Sequence, residues 1–386
     1  MIELLGKSKE ELRAFCAALG EPAYRGGQIY HALYAERKFD FARMTNLPAE
    51  LRERLTKEAR ITLPEVKQRF ASVDASVRYL FGLERKVTTE STREKSTEDS
   101  EKKRDALSAR VPASVEAVFM PSEGRQTICI STQAGCAVDC HFCLTAQLGL
   151  IRNLTSGEIL AQALLPLEEH KAELAPAFEA QGKQTNIVLM GQGEPMLNFE
   201  PVMAALRILL DPEGVGISPK HVTLSTSGIV PGIERLAQEK VRPKLAISLN
   251  ASNDEQRDAL MPINKKYPLR TLMEACKNYP LRPWEHLTFE YVMLGGVNDS
   301  ADDARRVVKL LAPLKRVKVN LIPWNPGELP YRESSPERIE EFRRILNDKG
   351  APAFVRYSRG RDVMAACGQL ALLQVRSPLT TLRSSV

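Results

Sequence analysis

The stretch QTICISTQAGCAVDCHFC, residues 126–143, decides the fold. Its first seven residues read as a β-strand, and the loop that follows carries Cys136, Cys140 and Cys143. A strand leading straight into a loop rich in ligand-forming side chains suits a parallel β/α architecture, whose chemistry sits past the strand C-termini. Five more strands follow: TNIVLMG (185–191), HVTLSTSG (221–228), KLAISLN (244–250), LTFEYVML (287–294) and RVKVNLIPW (316–324). Helical patterns such as SGEILAQALLPLEEH and DDARRVVKLLAPL separate them. Six β–α units predict an α/β fold with a parallel sheet. Six units instead of eight point to a partial (β/α)6 TIM-like barrel over residues 122–350, with a doubly wound open sheet as the alternative.

Upstream, residues 1–60 read as a small helical domain, built from KSKEELRAFCAALG, RGGQIYHALYAE and LPAELRERLTKEA. Residues 61–121 form a β extension in which 76–86 and 115–121 are expected to pair. Between them, 86–110 is polar and densely charged, cannot bury enough apolar surface to fold alone, and is expected to be a mobile insertion. Residues 351–386 make a C-terminal segment.

The 386 residues are 43% apolar and 26% charged, an ordinary globular balance. No apolar run approaches the length of a membrane span, and the N-terminus lacks the apolar core of an export signal. A soluble cytoplasmic protein without membrane contact is expected. The net charge is +6, and residues 341–386 hold eight Lys/Arg against three acids, which fits either a polyanion-binding patch or ordinary solvated surface.

Seven cysteines without an even framework, in a chain with no export signal, argue for metal binding or catalysis over structural disulfides. Cys16 and Cys276 lie in helical patterns and read as small buried hydrophobes. Cys136, Cys140 and Cys143 place three thiols within eight residues, which suits an iron–sulfur cluster with one iron left free for a small molecule. The competing reading is zinc with His141 as fourth ligand. It is weakened because adjacent residues rarely both face one metal. On position alone, Cys129 is equally a buried strand thiol, Cys367 a packing thiol, and Glu116 a solvent-facing strand residue.

The Cys136-x3-Cys140-x2-Cys143 motif resembles the radical S-adenosylmethionine (SAM) superfamily. Gly191-Gln-Gly193-Glu194-Pro195, Ser225-Thr-Ser-Gly228, Ser248-Leu249-Asn250, Leu321-Ile-Pro-Trp-Asn325-Pro, Ala365-Ala-Cys367-Gly-Gln and the N-terminal RGGQIYHALY narrow the resemblance. They are similar to the RlmN-type adenosine-C2 RNA methyltransferases of the RlmN/Cfr family, over nearly the whole chain. The resemblance implies a [4Fe-4S] cluster on Cys136, Cys140 and Cys143, and two SAM molecules per turnover. It implies SAM contacts at Gly193, Glu194, Ser225, Ser248, Leu249, Asn250 and Asn325. Asn250 departs from the family, which commonly has His there, and the charged insertion is longer than the usual connection.

The resemblance further implies that Cys367 takes a methyl group from one SAM and that a radical from the second activates it. Carbon 2 of adenosine is then joined to that carbon, Glu116 accepts its proton, and Cys129 resolves the adduct by forming a disulfide with Cys367. The implied substrates are 23S ribosomal RNA at the peptidyl-transferase centre, met before full subunit assembly, and transfer RNA beside the anticodon. The C-terminal basic stretch and N-terminal helices would grip the phosphates. A reducing system such as flavodoxin and a monomeric enzyme are also expected. Two alternatives stand: Cfr-type methylation at carbon 8, and a non-catalytic zinc or iron–sulfur RNA-binding protein.

Overall fold

The computed structural model describes residues 1–83, 113–171 and 184–370. The expected mobile insertion at 86–110 lies outside the described residues, as do Arg376 and Arg383 of the basic C-terminal stretch. Strands are numbered along the chain: β1 Ile2–Glu3, β2 Ala59–Arg60, β3 Glu65–Ala71, β4 Val77–Gly82, β5 Ser114–Ser122, β6 Arg125–Cys129, β7 Gln133–Gly135, β8 Leu150–Asn153, β9 Gln184–Leu189, β10 Val222–Thr226, β11 Lys244–Ser248, β12 Leu287–Met293, β13 Val317–Pro323 and β14 Ala353–Val355.

One ten-stranded sheet runs in the order β3-β4-β5-β6-β9-β10-β11-β12-β13-β14. From β6 onward every pairing is parallel, and β3 to β6 form an antiparallel extension. All six expected strands are present, and β4 pairs with β5 as their sequences suggested. The order never reverses. A doubly wound sheet needs a reversal, so that alternative fails. Sequence reading missed the short edge strands β14 and β3.

Alternation along each strand divides the sheet into two faces. Leu224, Ile247, Phe289, Tyr291, Val319 and Leu321 turn outward and are buried in the main core. The helices Phe199–Leu210, Leu269–Asn278 and Ala301–Leu311 supply the other half of that core. Each such Leu, Ile or Phe contributes roughly 1.5–3 kcal/mol by leaving water. The residues between them, among them Thr223, Lys244, Thr288, Glu290, Lys318 and Asn320, line an internal cavity instead. That polar inner row is why the strands read less apolar than fully buried parallel strands would.

The crossover helices begin where the sequence places caps. Thr155 and Glu158 form a capping box at the start of Ser156–Glu169, and Ser300 and Asp303 do so at Ala301–Leu311. The N-terminal helices Lys9–Ala18, Tyr24–Tyr30 and Ala49–Glu58 join the same apolar core through Leu12, Ile29 and Leu55. Tyr30 donates to Asp211 at 2.8 Å and thereby ties them to the barrel. Cys16 and Cys276 are buried, as expected.

Candidate active site

The three-cysteine loop leaves β6 and is framed by the β7–β8 hairpin. The Cys136 amide donates to Gly149 O, His141 to Leu260 O and Cys143 to Cys140 O, so the loop is pinned along its length. Phe142 is buried, and with Leu260, Met261, Leu294 and Trp324 it forms an apolar wall against which Cys140 and Cys143 pack. Burial pushes the Cys136 thiol up to about 12 and Cys140 well above the ordinary range, and Cys143 raises both further. Three thiols that face one another in an apolar shell resist ionisation until a cationic group neutralises them. His141 is exposed, and among the described residues no three His, Cys, Asp or Glu side chains converge on a single metal ion. The donor set fits an iron–sulfur cluster, and His141 does not complete a zinc site.

The turn after β9 approaches this loop closely. Gly193 has φ +95°, and a Cβ there would lie 2.5 Å from Gln133 Cβ, so glycine is required. The Glu194 amide donates to Gln133 Oε1 at 2.9 Å. Its carboxylate accepts from the backbone of Ser227 at 2.7 Å and Met196 at 3.0 Å. Burial pushes the Glu194 carboxyl up against the pull of those two amides. Glu194 therefore braces the loop after β10 as well as standing beside the cluster motif.

Ser225 and Ser248 meet at 3.3 Å across β10 and β11, and Ser225 donates to Glu290 Oε2 at 3.3 Å. Leu249 is fully buried. Asn250 adopts φ +55°, a conformation asparagine tolerates better than most residues. Its Oδ1 accepts from the Val292 amide at 2.9 Å and its Nδ2 lies 3.3 Å from Met261 Sδ, so the amide is turned into the protein. Asn325 Nδ2 donates to Ser358 Oγ at 2.9 Å and to the Cys367 carbonyl at 3.0 Å.

Those last bonds belong to a set that holds the Cys367 loop. Leu144 N donates to Gly368 O, Thr145 Oγ1 to Leu370 O, Gln192 Nε2 to Leu370 O and Gln369 Nε2 to Pro326 O. The loop is thus stitched to the cluster motif, the turn after β9 and the end of β13. Cys367, Cys129 and Cys143 all line one cavity of about 520 Å³. Cys367 is open to that space. Surrounding protein, Glu290 and Cys143 push its thiol up to about 12, and burial and the nearby Cys367 push Cys129 still higher.

Glu116 lies behind the cavity wall. It is buried on β5, and Arg78 of β4 donates to its Oε1 at 2.8 Å. Gln192 Nε2 reaches its Oε2 at 3.3 Å while also holding the carbonyl of Leu370, which lines the cavity.

Two residues of the site escaped sequence reading. Glu290 interrupts the apolar strand LTFEYVML at an inward position, a signal that alternation offers. Arg257, fully buried, gives no such signal because it lies in the charged helix Asp254–Leu260, DEQRDAL, where an arginine reads as solvated surface. Its guanidinium donates to the carbonyls of Leu249, Ser227 and Ser248 and to Asn264 Oδ1, and it lies near Cys140. Burial draws it down to about 10.

A family profile described as the radical SAM superfamily matches residues 130–311, and one described as the ribosomal RNA large subunit methyltransferase N-terminal domain matches 2–61. The chain is 47% identical over 366 residues to "Probable dual-specificity RNA methyltransferase RlmN" of Koribacter versatilis, covering 94% of this chain and 99% of that one. It is 43% identical to "Dual-specificity RNA methyltransferase RlmN" of Anaeromyxobacter sp., covering 94% and 88%. The chain belongs to the RlmN-type radical SAM RNA methyltransferases. The crystal structure of a radical SAM methyltransferase from Sphaerobacter thermophilus superposes with a TM-score of 0.80 at 40% identity, covering 96% of this chain and 99% of that one. Membership in the radical SAM superfamily implies SAM and a [4Fe-4S] cluster. Among the described residues no helix is long and apolar enough to cross a membrane.

Proposed function

We propose that this protein methylates carbon 2 of adenosine in 23S ribosomal RNA, before the subunit is fully assembled, and in transfer RNA beside the anticodon. The methyl group travels on Cys367. The observation that carries the reading is the shared cavity: Cys367, Cys129 and the cluster-motif Cys143 line one wall system. The ribosomal RNA named by the N-terminal profile and the dual specificity named by the relatives support the choice of substrates.

Carbon 2 lies between two ring nitrogens, is electron-poor and does not attack a sulfonium methyl. Cys136, Cys140 and Cys143 would hold the cluster, which would supply the electron that makes SAM a radical source, as such a carbon requires. The chain's own residues do the remaining work. Cys367 thiolate attacks the methyl carbon of a first SAM and S-adenosylhomocysteine leaves; a second SAM serves the radical step, which removes one hydrogen from that S-methyl group so that its carbon can bond carbon 2. The Ser225–Ser248 pair and the Gly193–Glu194 turn border the space for SAM. The target adenosine is extruded from its stack, at a cost of a few kcal/mol, to meet Cys367. Glu116 takes the carbon-2 proton once Leu370 and Gln192 shift aside, and Arg78 holds the carboxylate in place until then. Cys129 thiolate attacks the sulfur of Cys367, a disulfide forms as the bond from that sulfur to the transferred carbon breaks, and the released carbon takes up a proton to become the methyl group of the departing base. A reductant such as flavodoxin restores both thiols. Residues 1–60 act as the RNA-binding accessory domain, 61–121 as the β extension, 122–350 as the catalytic barrel and 351–386 as the carrier segment of a monomeric enzyme.

The test is anaerobic cluster reconstitution, followed by methylation of ribosomal and transfer RNA from a methylase-deficient strain. Mass spectrometry should find 2-methyladenosine in both. The 8-methyl isomer would reject carbon 2, and no SAM-derived methyl in either RNA would reject the function.

A further inference from the structure

The cavity that holds Cys129 and Cys367 continues to the opposite end of the strands, where its lining changes sign. Its wall carries Arg125, Lys244, Lys318, Arg356 and Arg359 against a single acid, Glu290. Arg359 is committed to Asp74. The other four remain, and His221 joins them at the cavity wall.

The sheet register gives their depth. Lys244 is the first residue of β11, four before Ser248, which is about 13 Å at roughly 3.3 Å per residue. Thr223 pairs with Lys244, and Thr288 pairs with Lys318. These lysines therefore stand on the inner face toward the N-terminal ends of the strands, below the serine pair. Arg356 follows the open-edge strand β14, donates to Asn320 Oδ1 at 3.2 Å, and links the lower cations to the cavity's side. Burial draws down both lysines, and each is lowered further by a neighbouring cation, Lys318 for Lys244 and Arg356 for Lys318, against the smaller opposite pull of Glu285 and Glu290. Packing like charges into a half-buried chamber is unfavourable unless an anion joins them.

Aromatic rings border this charge. Trp284 is 37% exposed in the turn before β12, with Lys220 at 5.5 Å from its ring and Arg282, which is paired with Glu285, at 4.5 Å. Lys220 precedes His221, so the ring lies beside the lower mouth. Tyr357 is 66% exposed on the cavity wall. Cations interleaved with exposed rings are what a single-stranded polynucleotide meets on a binding protein: charge for phosphate and flat faces for bases.

Of the basic C-terminal stretch, Arg356 belongs to this field, while three other described arginines are paired with acids. Arg343 pairs with Glu340, Arg361 with Glu333 and Arg359 with Asp74.

We infer that the lower half of the barrel cavity is an RNA-phosphate site: Lys244, Lys318 and Arg356 take phosphates next to the target adenosine, whose base then extends up to Cys129 and Cys367. This deepens the RNA methyltransferase reading and rests on it. Base-edge access in an RNA duplex is poor, so an adenosine reaching into this chamber would arrive from an opened loop.

The experiment uses the full-length, cluster-loaded protein and an unmodified transfer RNA transcript. RNA affinity is measured across salt concentrations for wild type, the Lys244→Met/Lys318→Met double variant, Trp284→Ala, and Lys309→Met on an outer helix as reference. Methyl loading of Cys367 from SAM, without RNA, is followed by intact mass. The double variant should bind about tenfold or more weakly at moderate salt, with a salt slope smaller by about 2. It should load methyl normally. Trp284→Ala should lose affinity with an unchanged slope, and Lys309→Met should match wild type. Equal affinity and slope in the double variant and wild type would overturn the inference, as would equal losses in Lys309→Met. If wild type itself gains no methyl mass, the functional reading fails, and the affinity comparison still decides whether RNA docks here.

Discussion

At the C-terminal ends of the parallel strands the polar side chains are locked to one another. At the N-terminal ends they face open space and like charge. Above, the Glu194 carboxylate is held by two backbone amides, Asn325 by Ser358 and the Cys367 carbonyl, and Arg257 ties the loops after β10 and β11. Below, Lys244 and Lys318 share a chamber in which burial, and to a lesser degree a neighbouring cation, weakens their hold on a proton. A small cofactor and a cluster reward a site fixed before they arrive. A polyanion of variable sequence rewards charge that can adjust to it. The same inner face of one sheet serves both needs because alternation places every second residue in the cavity.

The strongest way to break this division is at Cys367. Cys367→Ala should abolish methyl loading and RNA methylation together, a loss of about three orders of magnitude or more, while the RNA affinity set below stays within about twofold. Intact mass and RNA binding on the same preparation check it, and methylation that persists in this variant would remove Cys367 as the carrier. Cys129→Ala should separate the steps. Cys367 should still gain its methyl group, and RNA should remain covalently attached through denaturing electrophoresis, because the resolving sulfur is gone. A variant that turns over freely, or never retains RNA, would dismiss Cys129 from that role.

Arg257 sharpens the upper half. Arg257→Met removes a guanidinium that satisfies the carbonyls of Leu249 and Ser227 and the Asn264 side chain, all buried. Stranding such groups costs about 3 kcal/mol or more in total. A lower urea midpoint should accompany poorer cluster retention, read from visible absorption. Stability equal to wild type would show that water replaces the guanidinium without penalty.

Sequence alone disclosed six of the seven parallel strands and the three-cysteine loop, since both are local patterns: alternation, and three thiols in eight residues. It also marked Cys129 and Cys367, though only through the family resemblance, because 238 residues part them and nothing nearby announces that they share a cavity. Arg257 stayed hidden because its partners are backbone carbonyls on two other loops. The lower cations stayed hidden for a different reason. Lys244 and Lys318 look like ordinary strand-end charges until the register stacks them on one inner face. Conversely, the basic C-terminal stretch looked like a patch by composition, and acids distant in sequence neutralise part of it.

Asn325 tests a finer point, whether a family SAM contact also anchors the carrier loop. Asn325→Ala deletes the bond to the Cys367 carbonyl, worth about 1 kcal/mol. Loss of anchoring alone should slow methyl loading several-fold with an unchanged KM for SAM. A raised KM with an unchanged maximal rate would assign Asn325 to SAM and not to the loop.

The smallest effect is expected where the carrier segment meets the antiparallel extension. Asp74, in the turn between β3 and β4, accepts from the amides of Ser76 at 2.9 Å and Gly360 at 3.0 Å and pairs with Arg359. Burial pushes its carboxyl up, but hydrogen bonds from Ser76, Gly360 and Ser72 outweigh that and hold it well below the usual range. A carboxyl lowered in the folded state adds stability above its unfolded value, about 3.9, and loses it as pH falls through the folded value. Asp74→Asn should therefore unfold at a lower temperature than wild type at pH 7, and the gap should narrow as the pH approaches 3. A gap that widens on acidification would reverse the sign and mean that Asp74 is strained, not stabilised, by its partners. Because Gly360 opens the loop that ends at Cys367, the same variant should load methyl slightly more slowly at neutral pH, a coupling between the edge of the sheet and the cavity that thermal melts alone would not reveal.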